Sequence, residues 1–420
     1  MTIKNLHHLG VPCKSTIRII NSERILEEIV SKYGEDFQMN SESILRIEPN
    51  GGVLTTPGLY SSFLWMDKLA CNNILKGNLK NLSSDELYFL HTNEALSKRT
   101  NNKISAFNVD CDGLPSQVLF EVTSDCDCDC LACYHKKDLN SGNAPLDILL
   151  NRIDILANLG LTIFEVTGGE PFLRNDLAQI LNKIHAVGRK FYVVTNGNAL
   201  PNLNEELVDA LKKGDGLAVS IDGYGETHDK TRRLPGLFAN IEKGLDSLQG
   251  TGIPIYLIST LGEHNYEDIS KLADFAKKYN SKIHLRPAIK TGSCINNDLK
   301  TKDMHILLST YLNHPNTRNG FLATKKEIPD SKTYGCGIRK RISVDVFGRL
   351  FPCVMDRDES YKTIEDFSPK ELVSQLEKTT KIHLDKNKMC TDCDVNKNEI
   401  NCGGFCRFST TYKNGTTKKL

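Results

Sequence analysis

The chain has 420 residues, which is enough for two or three domains with cores of their own. Charged residues make up 25% and hydrophobic residues 39%, and the net charge of +1 gives no electrostatic reason to expect nucleic acid as a partner. No apolar run approaches the roughly 20 residues of a membrane span, and the amino terminus lacks the apolar core of a signal peptide. We therefore expect a cytoplasmic protein without a membrane partner.

The 14 cysteines fall mostly into two groups. In a reducing compartment such a number indicates metal binding or redox chemistry before disulfides. The first group lies at positions 126, 128, 130 and 133, and the second at 336, 353, 390, 393, 402 and 406. This grouping predicts two separate cysteine sites.

Residues 1–112 are predicted to form an α+β domain in which no chemistry is visible. Its predicted elements are a short strand at 16–20, a helix from Ser22 to Gly34, an extended segment at 43–47, a turn-rich segment at 48–58, helices at 59–75 and 84–96, and a polar linker at 97–103. The sequence of this domain alone leaves open a purely structural role.

Residues 113–325 alternate strand and helix patterns six times. The strands are predicted at 118–123, 161–167, 191–195, 216–221, 253–260 and 282–289. Near-continuous apolar strands between amphipathic helices indicate a parallel sheet covered by helices. The expected fold class is α/β, with a partial (β/α)6 barrel whose functional groups lie on the loops after the strands.

The loop after the first strand carries Cys126, Cys130 and Cys133 in the spacing C-x3-C-x2-C, followed by Tyr134. Three thiolates can hold three irons of a cubane and leave the fourth iron open. A zinc site is the alternative, and it would need Cys128 or His135 as the fourth ligand of a closed tetrahedron.

This loop resembles the cluster loop of the radical S-adenosylmethionine (radical SAM) enzymes. The resemblance implies a [4Fe–4S] cluster whose open iron binds the amino and carboxylate groups of SAM. An electron, supplied by a donor such as flavodoxin or ferredoxin, would then cleave SAM to methionine and a 5′-deoxyadenosyl radical. The family's loop needs no cysteine at position 128, so Cys128 is interpreted as a non-ligand.

Two later loops resemble the family's SAM-binding motifs, and a third, Thr195-Asn196-Gly197, has residues that suit close backbone approach to a ligand. Thr167-Gly168-Gly169-Glu170-Pro171 is similar to the GGE motif that holds the SAM amino group, and Ser220 and Arg232 match residues that contact its ribose and carboxylate. The resemblance implies these SAM-binding residues: Gly168, Gly169, Glu170, Asn196, Ser220 and Arg232. Asp222 and His228 are candidates for a catalytic acid or base. The alternative is a structural role, with Asp222 as a turn residue and His228 as a helix-start residue.

The second cysteine group resembles the SPASM extension of this family. The run Cys336-x11-Gly348-x4-Cys353 matches its start, but the interval from Cys393 to Cys402 is long and no cysteine follows Cys406. The resemblance implies one or two auxiliary [4Fe–4S] clusters, with Cys336, Cys353 and Cys406 in one set and Cys390, Cys393 and Cys402 in the other. A zinc ribbon is the alternative for these residues.

The resemblance implies an enzyme with three domains: 1–112 for recognition of a precursor peptide, 113–325 as the radical SAM partial barrel, and 326–420 as a small cysteine-rich domain with auxiliary clusters. The expected activity is oxidative modification, in the form of a crosslink, of a ribosomally synthesised precursor peptide or protein. Alternatives are a sulfatase-type maturase that forms formylglycine, a peptide epimerase, and a zinc-stabilised binding protein without catalysis.

Overall fold

The computed structural model describes residues 22–57, 63–100, 103–135, 140–281, 283–288, 292–293, 317–318, 341–353 and 361–386. The predicted auxiliary ligands Cys336, Cys390, Cys393, Cys402 and Cys406 lie outside the described residues. Among the helices within those ranges, none is long and apolar enough to cross a membrane.

The strands are β1 (Gln38–Met39), β2 (Ile44–Glu48), β3 (Gly51–Thr55), β4 (Phe63–Asp67), β5 (Leu96–Ser97), β6 (Ser105–Asn108), β7 (Gln117–Thr123), β8 (Ile163–Gly168), β9 (Lys190–Thr195), β10 (Leu217–Ser220), β11 (Ile255–Leu261), β12 (Ile283–Pro287), β13 (Thr317–Arg318), β14 (Arg341–Val344) and β15 (Leu350–Phe351). The helices are α1 (Ser22–Tyr33), α2 (Lys68–Lys76), α3 (Ser84–Thr92), α4 (Leu146–Asn158), α5 (Leu177–Ala186), α6 (Glu205–Leu211), α7 (Glu226–Arg232), α8 (Leu237–Leu248), α9 (Ile269–Lys278) and α10 (Pro369–Lys386).

Strands β7 to β12 lie side by side in chain order and are parallel, which confirms the predicted α/β partial barrel. Strand β14 adds to the free edge of β7 in parallel, with Arg341 opposite Gln117, and β15 pairs antiparallel with β14. The segment after the barrel therefore extends the same sheet as a hairpin.

The barrel strands are buried on both faces, but the two faces differ in polarity. On β7, Val118, Phe120 and Val122 join the apolar core formed with the covering helices. Gln117 and Glu121 point to the opposite, inner face, because side chains of a strand alternate between its faces. Both are also buried. The inner face of the barrel is thus partly polar.

The amino-terminal domain contains a four-stranded sheet in the order β4-β3-β2-β6. The single helix predicted at 59–75 is wrong: Phe63–Asp67 forms strand β4, and α2 begins at Lys68. The segment predicted as turns contains β3, whose glycines are needed for close strand packing. A Cβ at Gly51 would lie 2.2 Å from the Met66 carbonyl oxygen.

This domain packs against the amino-terminal ends of the barrel strands. Phe63 of β4 contacts an apolar cluster inside the barrel that includes Ile163 and Tyr192. Arg46 of β2 is fully buried and donates hydrogen bonds to the carbonyl oxygens of Leu114, Pro115 and Gly160. The cysteine loop lies at the opposite, carboxyl-terminal ends of the strands.

Candidate active site

The cysteine loop follows β7 at the carboxyl-terminal edge of the sheet. Cys126, Cys130 and Cys133 are half-buried on it, while Cys128 is buried. The loop backbone is held by a neighbouring element, because the Leu131 N–H donates to the carbonyl oxygen of Thr231 at 2.9 Å. The three thiols predicted as iron ligands are therefore presented together by a fixed loop.

Three aspartates alternate with the cysteines, and each ties the loop to a different segment. The pattern Asp-Cys-Asp-Cys-Asp-Cys was visible in the sequence, but it was not recognised there as a set of anchors. The bonded pairs are Asp125 with Asn143 at 2.5 Å, Asp127 with Asn196 at 2.6 Å and Asn198 at 2.7 Å, and Asp129 with Arg233 at 2.9 Å. Asp127 thus carries the loop's connection to the end of β9.

The two glycines after β8 allow this strand end to approach the start of the cysteine loop. A Cβ at Gly168, which has a φ of 146°, would lie 2.1 Å from the Thr123 carbonyl oxygen. A Cβ at Gly169 would lie 2.1 Å from the Asp125 carbonyl oxygen. Only glycine fits such contacts, so these residues bring the predicted SAM motif directly against the cysteine loop.

Glu170 joins this motif to the loop after β9. Its carboxylate accepts hydrogen bonds from the Thr195 hydroxyl at 2.7 Å and from the Asn196 N–H at 2.6 Å. Burial raises the pKa of Glu170 to about 7, although these two hydrogen bonds act in the opposite direction. The carboxylate therefore fixes the relative position of two predicted SAM-binding loops.

Arg232, at the end of α7, connects the β10 loop to the cysteines. Its Nη2 atom lies 2.7 Å from Asp222 Oδ2, and its Nη1 atom donates to Cys130 Sγ at 3.6 Å. Burial acts to lower the pKa of Arg232, but the charges of Asp222 and Cys130 outweigh it and raise that pKa. A permanent positive charge consequently stands beside the thiols.

Asp222 and His228 are engaged in bonds that hold the β10 loop. Asp222 accepts a hydrogen bond from the Thr260 N–H at 2.6 Å, and its own N–H donates to His228 Nδ1 at 2.8 Å. Burial lowers the pKa of His228 well below its usual value. Asp222 therefore contacts Arg232 directly, and His228 contacts the backbone of Asp222. Ser220 ends β10 and is half-buried.

The donor set of this site fits a [4Fe–4S] cluster. A cubane binds each thiolate to a different iron, and three half-buried thiols beside a fixed guanidinium supply such ligands with partial charge compensation. The Arg232 Nε atom is buried and has no hydrogen-bond partner among the described residues. Within the same part of the chain, no three Cys, His, Asp or Glu side chains are grouped so as to bind a single metal ion. A cubane differs from such a site because each thiolate binds its own iron.

His135, the other residue that the zinc interpretation names, is paired with a buried carboxylate. Its Nε2 atom is 2.5 Å from Glu121 Oε2, and both side chains are buried. Glu121 belongs to the inner face of β7, so His135 is directed toward the barrel wall.

The predicted auxiliary site is described only in part. Gly348 lies in the turn between β14 and β15 with a φ of 83°, and a Cβ there would be 2.6 Å from Arg152 Nη2. Cys353 follows β15 and is half-buried. The glycine of the predicted motif thus serves a tight turn packed against α4.

Residues 120–276 match the sequence profile of the Radical SAM superfamily. An AdoMet-dependent heme synthase of Methanosarcina barkeri (strain Fusaro / DSM 804) is 31% identical over 169 residues, covering 39% of this chain and 48% of that protein. The antilisterial bacteriocin subtilosin biosynthesis protein AlbA of Bacillus subtilis (strain 168) is 25% identical over 248 residues, covering 58% and 55%. The chain spans about half the length of these curated relatives.

Two solved structures share the fold. Streptococcus suis SuiB bound to its precursor peptide SuiA has a TM-score of 0.64 and 14% identity, with 90% of this chain and 97% of SuiB covered. A structure titled native anSMEcpe with bound AdoMet and Kp18Cys peptide has a TM-score of 0.55 and 18% identity, with 73% and 93% covered.

The sequence match lies on the strands and loops that carry the three thiols, the Gly-Gly-Glu turn and Arg232. The same region forms the parallel partial barrel, with the cysteine loop at its carboxyl-terminal edge. The family predicted from the cysteine spacing is therefore confirmed, together with the SAM and [4Fe–4S] cofactors that this family uses. Residues 120–276 of this chain therefore form a radical SAM domain.

Proposed function

We propose that the chain is a radical SAM peptide maturase that oxidatively modifies residues of a ribosomally synthesised precursor peptide, with a crosslink as the product. The observation that carries this proposal is the likeness in fold to SuiB, which covers 90% of this chain. The sequence similarity to the bacteriocin biosynthesis protein AlbA supports the same substrate class.

In this proposal Cys126, Cys130 and Cys133 hold the cluster. When bound, the cluster and SAM supply a 5′-deoxyadenosyl radical. The turn at 168–170, Asn196, Ser220 and Arg232 hold SAM, and the guanidinium of Arg232 suits a carboxylate because its N–H groups are arranged as a fork. Asp222 and His228 keep Arg232 in place, since Asp222 binds its guanidinium and His228 accepts a hydrogen bond from the Asp222 backbone.

The carboxyl-terminal segment is proposed to be a SPASM-type domain with one or two auxiliary clusters. Cys353 lies beside a hairpin that continues the barrel sheet at the edge of β7, the strand that leads into the cysteine loop. An auxiliary cluster near this edge could accept the electron that an oxidative crosslink releases. A donor such as flavodoxin or ferredoxin would reduce the first cluster in the cytoplasm.

The amino-terminal domain is proposed to hold the leader segment of the precursor. Its strand β6 is at the edge of the sheet, and Ser105, Ala106 and Asn108 are exposed. An exposed strand edge can bind an extended peptide through main-chain hydrogen bonds. The Val109 N–H donates to Ile47 of β2, so the alternating N–H groups of Ala106 and Asn108 point away from the sheet.

The chemistry is tested by the release of 5′-deoxyadenosine from SAM under anaerobic, reducing conditions, with Cys130→Ala as the control. We expect release from the wild type that is lost in the variant. Absence of release from an iron-loaded wild type, with and without candidate peptides, together with stoichiometric zinc, would contradict the proposal.

The leader-binding role is tested with Ala106→Pro, which removes an outward N–H group without removing a hydrogen bond to β2. Ala106→Val is the matched control, because it keeps the N–H group and suits a strand. We expect at least about a tenfold loss of affinity for the precursor peptide in the proline variant only, which corresponds to roughly one main-chain hydrogen bond. Equal affinity in both variants would place the leader elsewhere.

A sulfatase-type maturase that forms formylglycine is the second candidate, because the fold likeness to anSMEcpe covers 73% of this chain. That likeness covers less of the chain than the likeness to SuiB, which is why it ranks second. Mass spectrometry of the product separates the two candidates. A carbon–carbon or thioether crosslink loses two hydrogens, whereas conversion of cysteine to formylglycine loses two hydrogens and also replaces the sulfur by an oxygen from water.

A further inference from the structure

Three consecutive residues of the cysteine loop are bound by three consecutive residues at the end of α7, in opposite order along the chain. The bonded pairs are the Leu131 N–H with the Thr231 carbonyl oxygen at 2.9 Å, Cys130 Sγ with Arg232 Nη1 at 3.6 Å, and Asp129 Oδ2 with Arg233 Nη1 at 2.9 Å. The guanidinium of Arg232, a predicted SAM-binding group, is therefore flanked by a backbone hydrogen bond on one side and an ion pair on the other.

Arg233 makes its contact from a backbone conformation that side chains rarely adopt. It ends α7 with a φ of 54° and a ψ of 38°, in the left-handed region. Glycine is the usual residue at such a helix end, because a Cβ makes this conformation costly. A glycine, however, has no side chain that could reach Asp129. The chain thus carries backbone strain at a residue that binds the cysteine loop, and such strain occurs mainly at functional sites.

The strained turn is held by Asp229, which lies one helical turn earlier in α7. Its carbonyl oxygen accepts hydrogen bonds from the N–H groups of Arg233 and Leu234. Its carboxylate accepts from the N–H groups of Gly236 at 2.6 Å and Phe238 at 2.8 Å. Four backbone N–H groups therefore bind one residue, so the conformation of Arg233 is set within this segment and does not depend on the contact to the loop.

The two arginines differ in their surroundings. The Arg232 side chain is 14% exposed and binds the buried Asp222, whereas the side chains of Arg233 and Asp129 are 43% and 50% exposed. Arg232 is thus the guanidinium that contacts a thiol, and Arg233 lies at the outer edge of the loop. Because an exposed ion pair contributes little to overall stability, we expect this pair to affect the position of the loop more than the stability of the fold.

We propose that Arg233 is a positioning residue for SAM binding. Its ion pair with Asp129 keeps the cysteine loop in register with the end of α7, so that the Arg232 guanidinium stays beside Cys130 when SAM binds. Arg233 itself contacts neither SAM nor the cluster. This inference rests on the proposed function, because it requires a cluster on the cysteine loop and SAM beside Arg232.

The test uses the full-length chain and compares variants of this one ion pair. Arg233→Gly removes the guanidinium and relieves the left-handed strain, Asp129→Asn removes the carboxylate charge, and a double variant combines both changes. Arg233→Lys keeps a positive charge at the same backbone position. Lys230→Met is the matched control, because it removes an exposed ion pair with Glu226 from the same helix.

The first measurement is SAM binding to the chain reconstituted anaerobically with iron and sulfide, followed through the electron paramagnetic resonance signal that disappears in Cys130→Ala. We expect SAM affinity to fall about three- to fivefold in Arg233→Gly and in Asp129→Asn, the scale of an exposed ion pair. The double variant should lose no more than either single variant, because both remove the same pair. Arg233→Lys and Lys230→Met should bind SAM as the wild type does.

The second measurement uses the iron-free chain and does not depend on activity. Hydrogen exchange at the Leu131 amide should be faster in Arg233→Gly than in the wild type, because the neighbouring ion pair no longer holds the loop. Urea should unfold this variant at no lower concentration than the wild type, since glycine suits the left-handed position. A purely structural role would lower the SAM affinity and the unfolding midpoint together, and that outcome overturns the inference.

Wild-type SAM affinity in Arg233→Gly overturns the inference as well. Losses that multiply in the double variant do the same, because Asp129 and Arg233 would then act separately. An equal loss in Lys230→Met also overturns it, since the effect would then belong to the charge of the helix and not to this pair. A wild-type chain without a signal that depends on Cys130, or with one that does not respond to SAM, overturns the proposed function itself.

Discussion

Single residues at this site act mainly by holding neighbouring loops together at short range. Gly169 and Glu170 show this most clearly, because one has no side chain and the other has a buried one. Gly169 allows the turn to approach Asp125, and Glu170 binds Thr195 and the Asn196 backbone. Their assignment to SAM itself stays a prediction, but their part in the geometry of the loops is described by these contacts.

Gly169→Ala is expected to disturb the cysteine loop. The added Cβ would meet the Asp125 carbonyl oxygen at 2.1 Å and the Ser124 carbonyl oxygen at 2.8 Å, and backbone cannot move aside as a side chain can. We expect SAM cleavage to fall by about a hundredfold, the effect of an error of roughly 1 Å in a catalytic group. The measurement is 5′-deoxyadenosine release at equal iron content.

Gly250→Ala is the control for a general loss of stability. Gly250 has a φ of 78° and no atom within 4 Å of its added Cβ, so the variant bears a backbone strain of about 1 kcal/mol without a clash. Its SAM cleavage should match the wild type. Unchanged cleavage in the Gly169 variant as well would mean that the turn and the loop are not tightly packed in solution.

Glu170 is expected to make stability depend on pH. Burial raises the pKa of Glu170 in the folded chain to about 7, from the ordinary value of 4.5. Between these values the folded chain holds a proton that the unfolded chain has released, so the free energy of unfolding falls as the pH rises. In Glu170→Gln this fall should be smaller. Urea unfolding of the iron-free chain from about pH 5 to about pH 8 measures it. Equal slopes in both proteins would contradict the raised pKa.

At the scale of elements, the hairpin β14–β15 couples the carboxyl-terminal segment to the barrel. It pairs with β7 through its backbone, and its turn is held by Arg152 of α4. The Arg152 side chain donates to the Val346 carbonyl oxygen at 2.7 Å and to Glu365 at 2.6 Å. Gly348 lies in the same turn, where its positive φ and the lack of a side chain leave room for this guanidinium.

Gly348→Ala should therefore loosen the hairpin. The variant combines backbone strain with a clash against Arg152, and we expect a loss of about 2–4 kcal/mol in the free energy of unfolding. Gly188→Ala, which has a φ of 69° and open space around the added Cβ, should lose only about 1 kcal/mol. Faster hydrogen exchange at the β14 amides would locate the effect. Equal losses in the two variants would show that Arg152 makes room without cost.

Across the whole molecule, Arg46 joins the amino-terminal domain to the barrel. Its guanidinium lies 2.6 Å from Glu48 Oε1, with both side chains fully buried, and it also binds three backbone carbonyls of the barrel segment. Removal of one partner from a buried ion pair leaves an uncompensated charge, which is strongly destabilising.

Arg46→Met should lower the free energy of unfolding by about 3–5 kcal/mol. The double variant Arg46→Met/Glu48→Leu should recover part of this loss, since no charge remains buried. Arg24→Met removes an exposed partner of Glu28 and should change the same quantity by less than about 1 kcal/mol. Urea denaturation measures all three variants. No recovery in the double variant would indicate that the carbonyl contacts of Arg46 matter more than its pairing with Glu48.

The sequence by itself determined the features that depend on local pattern. The alternation of apolar runs placed both ends of each of the six barrel strands within two residues of their observed positions, and the cysteine spacing pointed to the family. The predicted helix at 59–75 was wrong because it too rested on local pattern alone. Phe63, Met66 and Ala70 satisfy a helical period, but residues 63–67 pair with β3 and form a strand.

Only the tertiary structure decided which distant residues meet. The contacts of Asp127 with Asn196, Arg46 with Gly160 and Arg152 with Glu365 join residues 69, 114 and 213 positions apart. A side chain's identity indicates what it can bind, but its neighbours depend on the order and register of the strands. For that reason the thiols could be found from their spacing, whereas the bonds that hold Glu170, Arg232 and Arg233 around them could not.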